Sequence, residues 1–509
     1  MATETELKLA IAPEDMGRFA KCTALAAATR SKPVTRTVYS VYYDTPERDL
    51  VRRGMALRLR KVAGRWVQTL KTAGTAQAGL HQRGEFEAPA AAQLLNFVAL
   101  SATPAAALFA DAELRARLRP MFVTEFKRTA RLVEIHPGEL AELCVDRGSI
   151  TGGANRAAIS EIELELKAGA AEHLFDFADL LLAEVPLRLD NASKAERGYA
   201  LLAPTDEAPA KARPPMVDAA MTASDAFVAI ADACVRQLQA NERGVVTSDD
   251  VEYIHQARVA IRRLRSAFDL FRWIVPKAGV APLAAAVKDL GTAFGGARDW
   301  DVFLTETLPP IAEVFAEHPG IASIRTSAER LRATARAEAR ATVAAPRYTG
   351  LLLRLGATLV GRSWRAALNA DALALEAVPI PEFATMLLER QWKRVRRAGK
   401  GHDDLAAEQL HALRIEIKKL RYAIEFLQAL HPRKAVRTFL DQATELQDIL
   451  GHLNDATVTA ALLGQLPLAD GDAREAAGLV RGWTAARSRE GVARLDRAWA
   501  QFKAAKPYW

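Results

Sequence analysis

The chain has 509 residues, of which 50% are hydrophobic and 26% charged, and a net charge of +8. Such a chain is long and apolar enough for two or three domains with real cores. Cys22, Cys144 and Cys234 are scattered and odd in number, which excludes a disulfide framework or a cysteine metal cluster and points to a reducing compartment. Glu4 and Glu6 stand where a signal peptide would be basic, and no apolar run is long enough to span a bilayer, so a cytoplasmic protein with no membrane partner is expected. The surplus charge is uneven. Residues 1–210 hold 27 Lys and Arg against 27 Asp and Glu, so the excess lies wholly in residues 211–509.

In chain order, the first 203 residues alternate. Glu4, Glu6 and Lys8 fall on one face of a strand and Leu7 and Leu9 on the other. Arg58 and Arg60 alternate with Leu57 and Leu59, and Thr69 and Lys71 with Gln68 and Leu70. Arg83, Glu85 and Glu87 share a face, as do Glu161, Glu163 and Glu165. Further strands are predicted over 37–43, 122–135 and 140–146, and helices near 13–28, 105–119 and 170–184. About eight strands with three helices imply an α+β domain, an antiparallel sheet or a closed β-barrel.

Taken singly, each strand reads as one with a wet face. Together the polar faces carry both signs in spaced pairs and triples. In a closed barrel they would line the lumen, where so many charges are costly to keep dry. A charged, metal-bound ligand removes the difficulty. Triphosphate needs several Arg or Lys donors. It also needs carboxylates that hold Mg²⁺ or Mn²⁺ between themselves and the phosphates.

The ordered set Glu4-x-Glu6-x-Lys8, Tyr43-Asp44-Thr45, Leu57-Arg58-Leu59-Arg60, Thr69-Leu70-Lys71, Arg83-Gly84-Glu85-Phe86-Glu87, Asp146, Glu161 to Glu165 and Ser193-Lys194 resembles the CYTH superfamily, the triphosphate tunnel metalloenzymes. The resemblance implies a closed eight-stranded tunnel that hydrolyses or rearranges triphosphates with Mg²⁺ or Mn²⁺. By the same resemblance Arg58, Arg60, Lys71, Arg128 and Lys194 grip phosphate, with Lys8 beside them. Glu4, Glu6, Asp146, Glu161 and Glu163 form the metal-holding side. Lys127 replaces Arg128 if the register shifts by one. Glu165 shares a face with Glu161 and Glu163, so which two of the three take metal stays open. Arg36 and Glu85 are weaker candidates, and His81 and His136 are read as surface or turn residues.

Residues 204–217 are rich in Pro and Ala, and Pro214-Pro215 cannot continue a helix or strand, so a semi-rigid spacer is expected there. From 218 to 509 the patterns are helical. Helices are predicted near 221–241, 249–275, 281–295, 299–315, 321–342 and 346–366, then near 381–398, 403–429, 433–452, 455–465, 472–488 and 490–503.

One basic helix occurs twice in this half. His255-x-x-Arg258-x-x-x-Arg262-Arg263-Leu264-Arg265 returns 156 residues later as His411-x-x-Arg414-x-x-x-Lys418-Lys419-Leu420-Arg421. The same offset carries Leu290, Phe294, Gly295 and Asp299 onto Leu446, Leu450, Gly451 and Asp455. It breaks at Arg298, which meets Asn454. A fixed offset of this kind marks a duplicated helical unit, here about 218–370 and 371–509. On a helix His255, Arg258, Arg262 and Arg265 fall within roughly 80° of one another, with apolar residues opposite. A matched pair of basic faces favours a polyanion site over two solvated faces.

These residues resemble the CHAD family, the conserved-histidine α-helical domain. The resemblance implies an all-helical fold of two pseudo-symmetric bundles that binds inorganic polyphosphate, and association with polyphosphate granules. Arg394, Arg396 and Arg397 with Lys393 either extend the groove or lie on open surface. Low aromatic content, 7%, and the lack of aromatic residues among the basic ones argue against nucleic acid. The first expectation is therefore a tripolyphosphatase joined to a polyphosphate-binding domain. The alternatives are a nucleoside or thiamine triphosphatase, an adenylate cyclase in the same tunnel, or a non-catalytic granule-binding protein.

Overall fold

The computed structural model describes residues 2–72, 74–77, 79–91, 93–202, 208–401, 406–468 and 470–509. The expected spacer falls partly on 203–207, and the start of the predicted helix 403–429 on 403–405, both outside the described residues. The chain forms two compact units, residues 1–208 with 346–363, and residues 209–345 with 364–509.

The first unit is built on ten strands: β1 (Ala2–Ile11), β2 (Val34–Asp44), β3 (Ala56–Val62), β4 (Arg65–Lys71), β5 (Thr75–Gln77), β6 (Leu80–Pro89), β7 (Arg119–His136), β8 (Glu139–Gly152), β9 (Asn155–Ala168) and β10 (Leu187–Leu189). Eight of them close into an antiparallel barrel in the order β1-β9-β8-β7-β2-β3-β4-β6, with β6 returning to β1. The short β10 and β5 extend β1 and β6 at the rim. Around the barrel lie α1 (Met16–Phe19), α2 (Thr23–Ala28), α3 (Phe97–Leu100), α4 (Ala106–Ala110), α5 (Ala112–Arg117), α6 (Glu172–Glu184) and α7 (Lys194–Leu202).

The alternation read in the sequence sets which residues face in. Outward Leu7, Leu9, Leu57, Leu59, Leu70, Ile162 and Leu164 are fully buried under the surrounding elements. Over β2 to β4 the cover is α3 to α5, where Leu100, Phe109 and Leu114 pack on Val41, Tyr43, Leu50 and Leu57. Inward, the register places Arg128 beside Asp146, Asp146 beside Glu161, and Glu163 beside Lys8. A second lateral row runs Glu142, Glu165, Glu6, His81. One stretch of the interior is apolar instead. Val38, Phe122, Phe126, Ile150 and Ile159 gather there with Tyr42, and Tyr199 of α7 joins them. This plug seats α7, and with it Lys194. Gly198 permits the approach, since a Cβ there would lie 2.2 Å from the Phe122 ring.

The Tyr43-Asp44-Thr45 motif is structural. Asp44 is fully buried and accepts hydrogen bonds from the backbone N–H groups of Thr45, Leu50 and Val51, at 2.7, 2.9 and 3.0 Å. The Tyr199 hydroxyl donates to it at 2.8 Å. Burial and the Asp44 charge push the Tyr199 phenol well up, so it stays a donor. Replacing Asp44 with Ala would strand four donors. It should lower the unfolding free energy by about 3 kcal/mol or more, read from urea melts of the full chain.

The second unit is helical: α8 (Ala223–Thr247), α9 (Val251–Leu270), α10 (Lys277–Val302), α11 (Leu308–Val314), α12 (Pro319–Ala344), α14 (Ala370–Glu376), α15 (Ile380–Ala398), α16 (Ala407–Leu427), α17 (Arg433–Leu463) and α18 (Gly471–Ala504). The helix between them in sequence, α13 (Pro346–Gly361), packs on α6 of the first unit. The 156-residue offset carries α8, α9, α10 and α12 onto α15, α16, α17 and α18. Equivalent neighbours pair in both copies, α8 with α9 as α15 with α16, and α10 with α12 as α17 with α18. The copies share a core in which Trp300, Phe303, Ile311 and Ile324 meet Leu462, Leu463, Ala476 and Val480. Three predicted breaks are absent. α10 runs through 296–298, α17 through 452–455 and α18 through 488–490, because buried Ala297 and Trp300, Leu462 and Leu463, and Trp499 continue each apolar stripe.

Among the described residues no helix is long and apolar enough to cross a membrane, and the three cysteines are free and buried.

Candidate functional site

The barrel encloses a cavity of about 280 Å³. Glu4, Glu6, Lys8, Arg58, Arg60, Lys71, Arg128, Glu163, Glu165 and Lys194 all border it. So do Tyr42, Arg83, Glu85, Glu87 and Glu142. Glu142 is the acid that the sequence did not single out, although it stands four residues before Asp146, in phase with it on the same strand face.

Asp146 and Glu161 do not border the cavity. They are 0% and 1% exposed, and with Glu163 form a carboxylate cluster in which one oxygen from each lies within 4.8 Å of the others. The Lys194 ammonium already sits in that cluster, 2.7 Å from Asp146 and 2.9 Å from Glu163, and it also bonds Glu161. Arg128 adds a fork to Asp146 at 2.8 and 2.6 Å and a contact to Glu163. Burial alone would raise the Glu163 carboxyl, but Lys194, Arg128 and Lys8 hold it well below its usual range. Burial would likewise lower Lys8, yet Glu6 and Glu163 lift it to about 12. These buried pairs fix the geometry of Lys194, Arg128 and Lys8.

The rest of the lining carries both signs and is paired in part, Arg58 with Glu85 at 3.1 Å and Lys71 with Glu4. Arg60 makes no ion pair among the described residues, and its Nε has no partner. Burial, with Arg58 and Arg128 beside it, pulls its guanidinium down to about 10. Tyr42 lies next to Arg58 and Arg60, whose charges outweigh burial and lower its phenol. Across the cavity the Glu165 carboxyl is raised, first by burial; its pair with Lys167 at 2.6 Å opposes this, and Glu4 and Glu142 add to it. Arg60 thus lacks an anion and Glu142 a cation among the described residues. A divalent ion held by Glu4, Glu6, Glu163 and Glu165 would compete with Lys71, Lys8, Lys194 and Lys167 for those carboxylates. Carboxylate oxygens are the donors such hard ions take. Arg36, by register, lies beside Arg128 but outside the cavity lining.

His81 departs from the surface or turn position expected of it. It is 4% exposed in β6, in register with Glu6, and its Nδ1 lies 2.8 Å from an Arg83 nitrogen. Burial, then Lys8 and Arg83, hold its imidazole at about 4, hence neutral. Alternation places it on the inward face with Arg83, where a turn residue would not lie.

In the second unit α9 pairs with α16, and the two basic faces converge. Arg258 feels the charges of Arg262, Arg298 and Arg414, and Lys418 those of Arg414, Arg262, Arg421 and Arg258. Burial, then these arginines, bring Lys418 down to about 7. Burial and Arg298, with Arg262 and Arg258, take His255 to about 4. Asp299 lies 3.7 Å from Arg258, and Asp455 holds the equivalent place near Arg414. Neither Arg262 nor Lys418 has an ion pair among the described residues. Arg265 and His411 are exposed, and the side chain of Asn454 lies outside the described residues.

Arg263 and Lys419 depart from the expectation. Arg263 is 1% exposed; it donates to Gln237 at 2.9 Å and to the Arg213 carbonyl at 3.3 Å, and stacks on Phe426. Lys419 pairs with Asp269 at 2.7 Å. One residue past Arg262 or Lys418 is about 100° further round the helix, which turns each side chain away from the shared basic face. Of the Lys393 cluster, Lys393 pairs with Glu389 on its own helix.

The CYTH domain family matches residues 2–199 and the CHAD domain family residues 229–464. An inorganic triphosphatase of Haemophilus influenzae is 36% identical over 211 residues, 40% of this chain and 55% of that protein, so the chain spans about half the length of this curated relative. The crystal structure of the CHAD domain from the plant Ricinus communis is 32% identical, covering 59% of this chain and 98% of that one with a TM-score of 0.52. The chain therefore belongs to the CYTH and CHAD families, with a CYTH domain followed by a CHAD domain.

Proposed function

We propose that this chain is a metal-dependent triphosphatase that releases phosphate from inorganic tripolyphosphate, and that its helical domain binds inorganic polyphosphate. The observation that carries the reading is a cavity lined almost wholly by Arg, Lys and Glu side chains, in which Arg60 and Glu142 are among those without an ion pair among the described residues. The relative from Haemophilus influenzae, which bears the name inorganic triphosphatase, supports it. Mg²⁺ or Mn²⁺ held by Glu4, Glu6, Glu163 and Glu165 would polarise the phosphoryl group and bring up water. Arg58, Arg60, Arg128, Lys8, Lys71 and Lys194 orient the phosphates and draw charge from the leaving group. Asp146 and Glu161 act by fixing Lys194.

The lining favours an inorganic substrate. Among the described lining residues only Tyr42, Ala56, Ser193 and Ala195 are uncharged, which leaves no apolar slot for an adenine or thiazole ring. In the helical domain the converging basic faces of α9 and α16 support a polyphosphate groove made of His255, Arg258, Arg262, Arg265, His411, Arg414, Lys418 and Arg421. Free buried cysteines fit a reducing cytoplasm, where polyphosphate granules would be the partner.

The test is a panel of tripolyphosphate, ATP and thiamine triphosphate, each with and without Mg²⁺ or Mn²⁺, read for phosphate and cyclic AMP. Metal-dependent phosphate release should be fastest from tripolyphosphate. Cyclic AMP from ATP would establish a cyclase instead, and no product with intact polyphosphate binding a docking protein.

A further inference from the structure

Away from the cavity, the first unit holds a second group of metal-binding side chains. β7 ends at His136 with a bulge between Glu134 and His136, and β8 begins at Glu139. The turn between them is pinned, because Glu134 accepts the Gly138 N–H at 2.9 Å and pairs with Arg30. α6 then brings its first turn alongside. The His173 ring lies 4.1 Å from that of His136, nearly parallel at 8°. Glu139 Oε2 is 2.7 Å from His173 Nδ1 and accepts the Ala170 N–H at 3.0 Å. One donor atom from each of His136, Glu139 and His173 lies within 4.8 Å of the others.

We propose that His136, Glu139 and His173 form a second metal site, separate from the phosphate cavity, that takes Zn²⁺ or a similar borderline ion. Two imidazoles and one carboxylate are the ligand set of such ions, whereas Mg²⁺ takes oxygens alone. Ligands about 2 Å from Zn²⁺ stand some 3.3–3.5 Å apart in a tetrahedron, so the 2.7 Å Glu139–His173 contact must open slightly and the wider separations, none above 4.8 Å, must close. His136 is exposed at a strand end and its side chain can turn to do so. Glu139 and His173 are already oriented by each other and by the Ala170 N–H, so little ordering is left for the metal to impose. Asp176, one turn along α6, adds negative charge next to both rings. The bound ion would join the β7–β8 turn to α6, and the proton between Glu139 and His173 would leave to solvent as it binds.

The experiment titrates Zn²⁺ into the metal-stripped full chain in excess Mg²⁺, by calorimetry, with Co²⁺ absorption as a spectroscopic check. The background is the Glu4→Gln, Glu6→Gln chain, in which the cavity is disarmed. One equivalent should bind in both chains, raise the melting temperature, and give a Co²⁺ spectrum with nitrogen ligation. His136→Ala and His173→Ala should each abolish that equivalent while the metal-free chain still melts as a folded protein, and Glu139→Gln should weaken it about 10- to 100-fold. Binding that survives both histidine variants, or no binding beyond the cavity, overturns the proposal.

Discussion

Glu4→Gln combined with Glu6→Gln should cut tripolyphosphate hydrolysis at least about a thousandfold, roughly 4 kcal/mol of barrier, while polyphosphate affinity stays unchanged. Both carboxylates border the cavity, Glu4 next to Lys71 and Glu6 3.2 Å from Lys8. The amides keep shape and volume but cannot hold a divalent ion as carboxylates do. They also remove one carboxylate partner from each of Lys71 and Lys8, which keep Glu85 and Glu163, so tripolyphosphate should bind at least as tightly as before. The signature is thus a fall in kcat with KM steady or lower, measured by phosphate release across a Mg²⁺ series. If the Mg²⁺ concentration needed for half-maximal rate is unchanged, the ion sits elsewhere; if polyphosphate binding is lost in parallel, the two sites are one.

Charge reversal at Arg262 and Lys418 should do the opposite, abolishing polyphosphate binding to the full chain at physiological salt and sparing hydrolysis. Both are cations without an ion pair among the described residues, placed where α9 meets α16, and each acidic replacement removes one favourable contact and adds one repulsive one. The wild-type affinity should fall steeply with salt, as polyanion binding releases counterions, and the slope should be shallower in a Lys418→Ala chain. It should also depend on pH. Free Lys418 titrates near 7 because burial and four arginines oppose its charge. A bound polyanion neutralises those arginines and favours the ammonium, so binding takes up a proton. Affinity should therefore rise as pH falls towards 7 and level off below it, and Lys418→Ala should flatten this profile. A profile that keeps its slope in Lys418→Ala assigns the proton to another group, with His255 the next to test.

The barrel interior was legible because side-chain alternation is strictly local. Once Leu7 and Leu9 are assigned outward, Glu4, Glu6 and Lys8 must point inward, whatever the neighbouring strands do. The groove was legible because the pattern from His255 to Arg265 recurs at one fixed offset, and chance rarely repeats so many basic positions in register. Partner choice was not legible. The sequence offers Asp146, Glu161 and Glu163 as equivalent acids, and only α7, seated on an apolar plug, puts an ammonium among all three and leaves Glu163 as the one that borders the cavity. Arg263 and Lys419 look like their neighbours in a basic string, and the helical turn alone separates them. His81 has no polar company in sequence that signals burial; its place follows from β1 closing on β6, a pairing between distant segments.

The excursion of α13 has its own consequence for how such a protein can be divided. The chain leaves the barrel unit near residue 208, returns to it for 346–363, and leaves again. Gly356 lets that returning helix lie against Phe175, where any Cβ would come within 2.3 Å of the ring. A gene truncated after codon 208 would encode a barrel with the α6 flank bare, prone to aggregate on expression. The excised remainder would carry a surplus amphipathic segment with nothing to cover it. Fusions and truncations are better designed around this interleaving than around the Pro-rich stretch that looks like the natural cutting point.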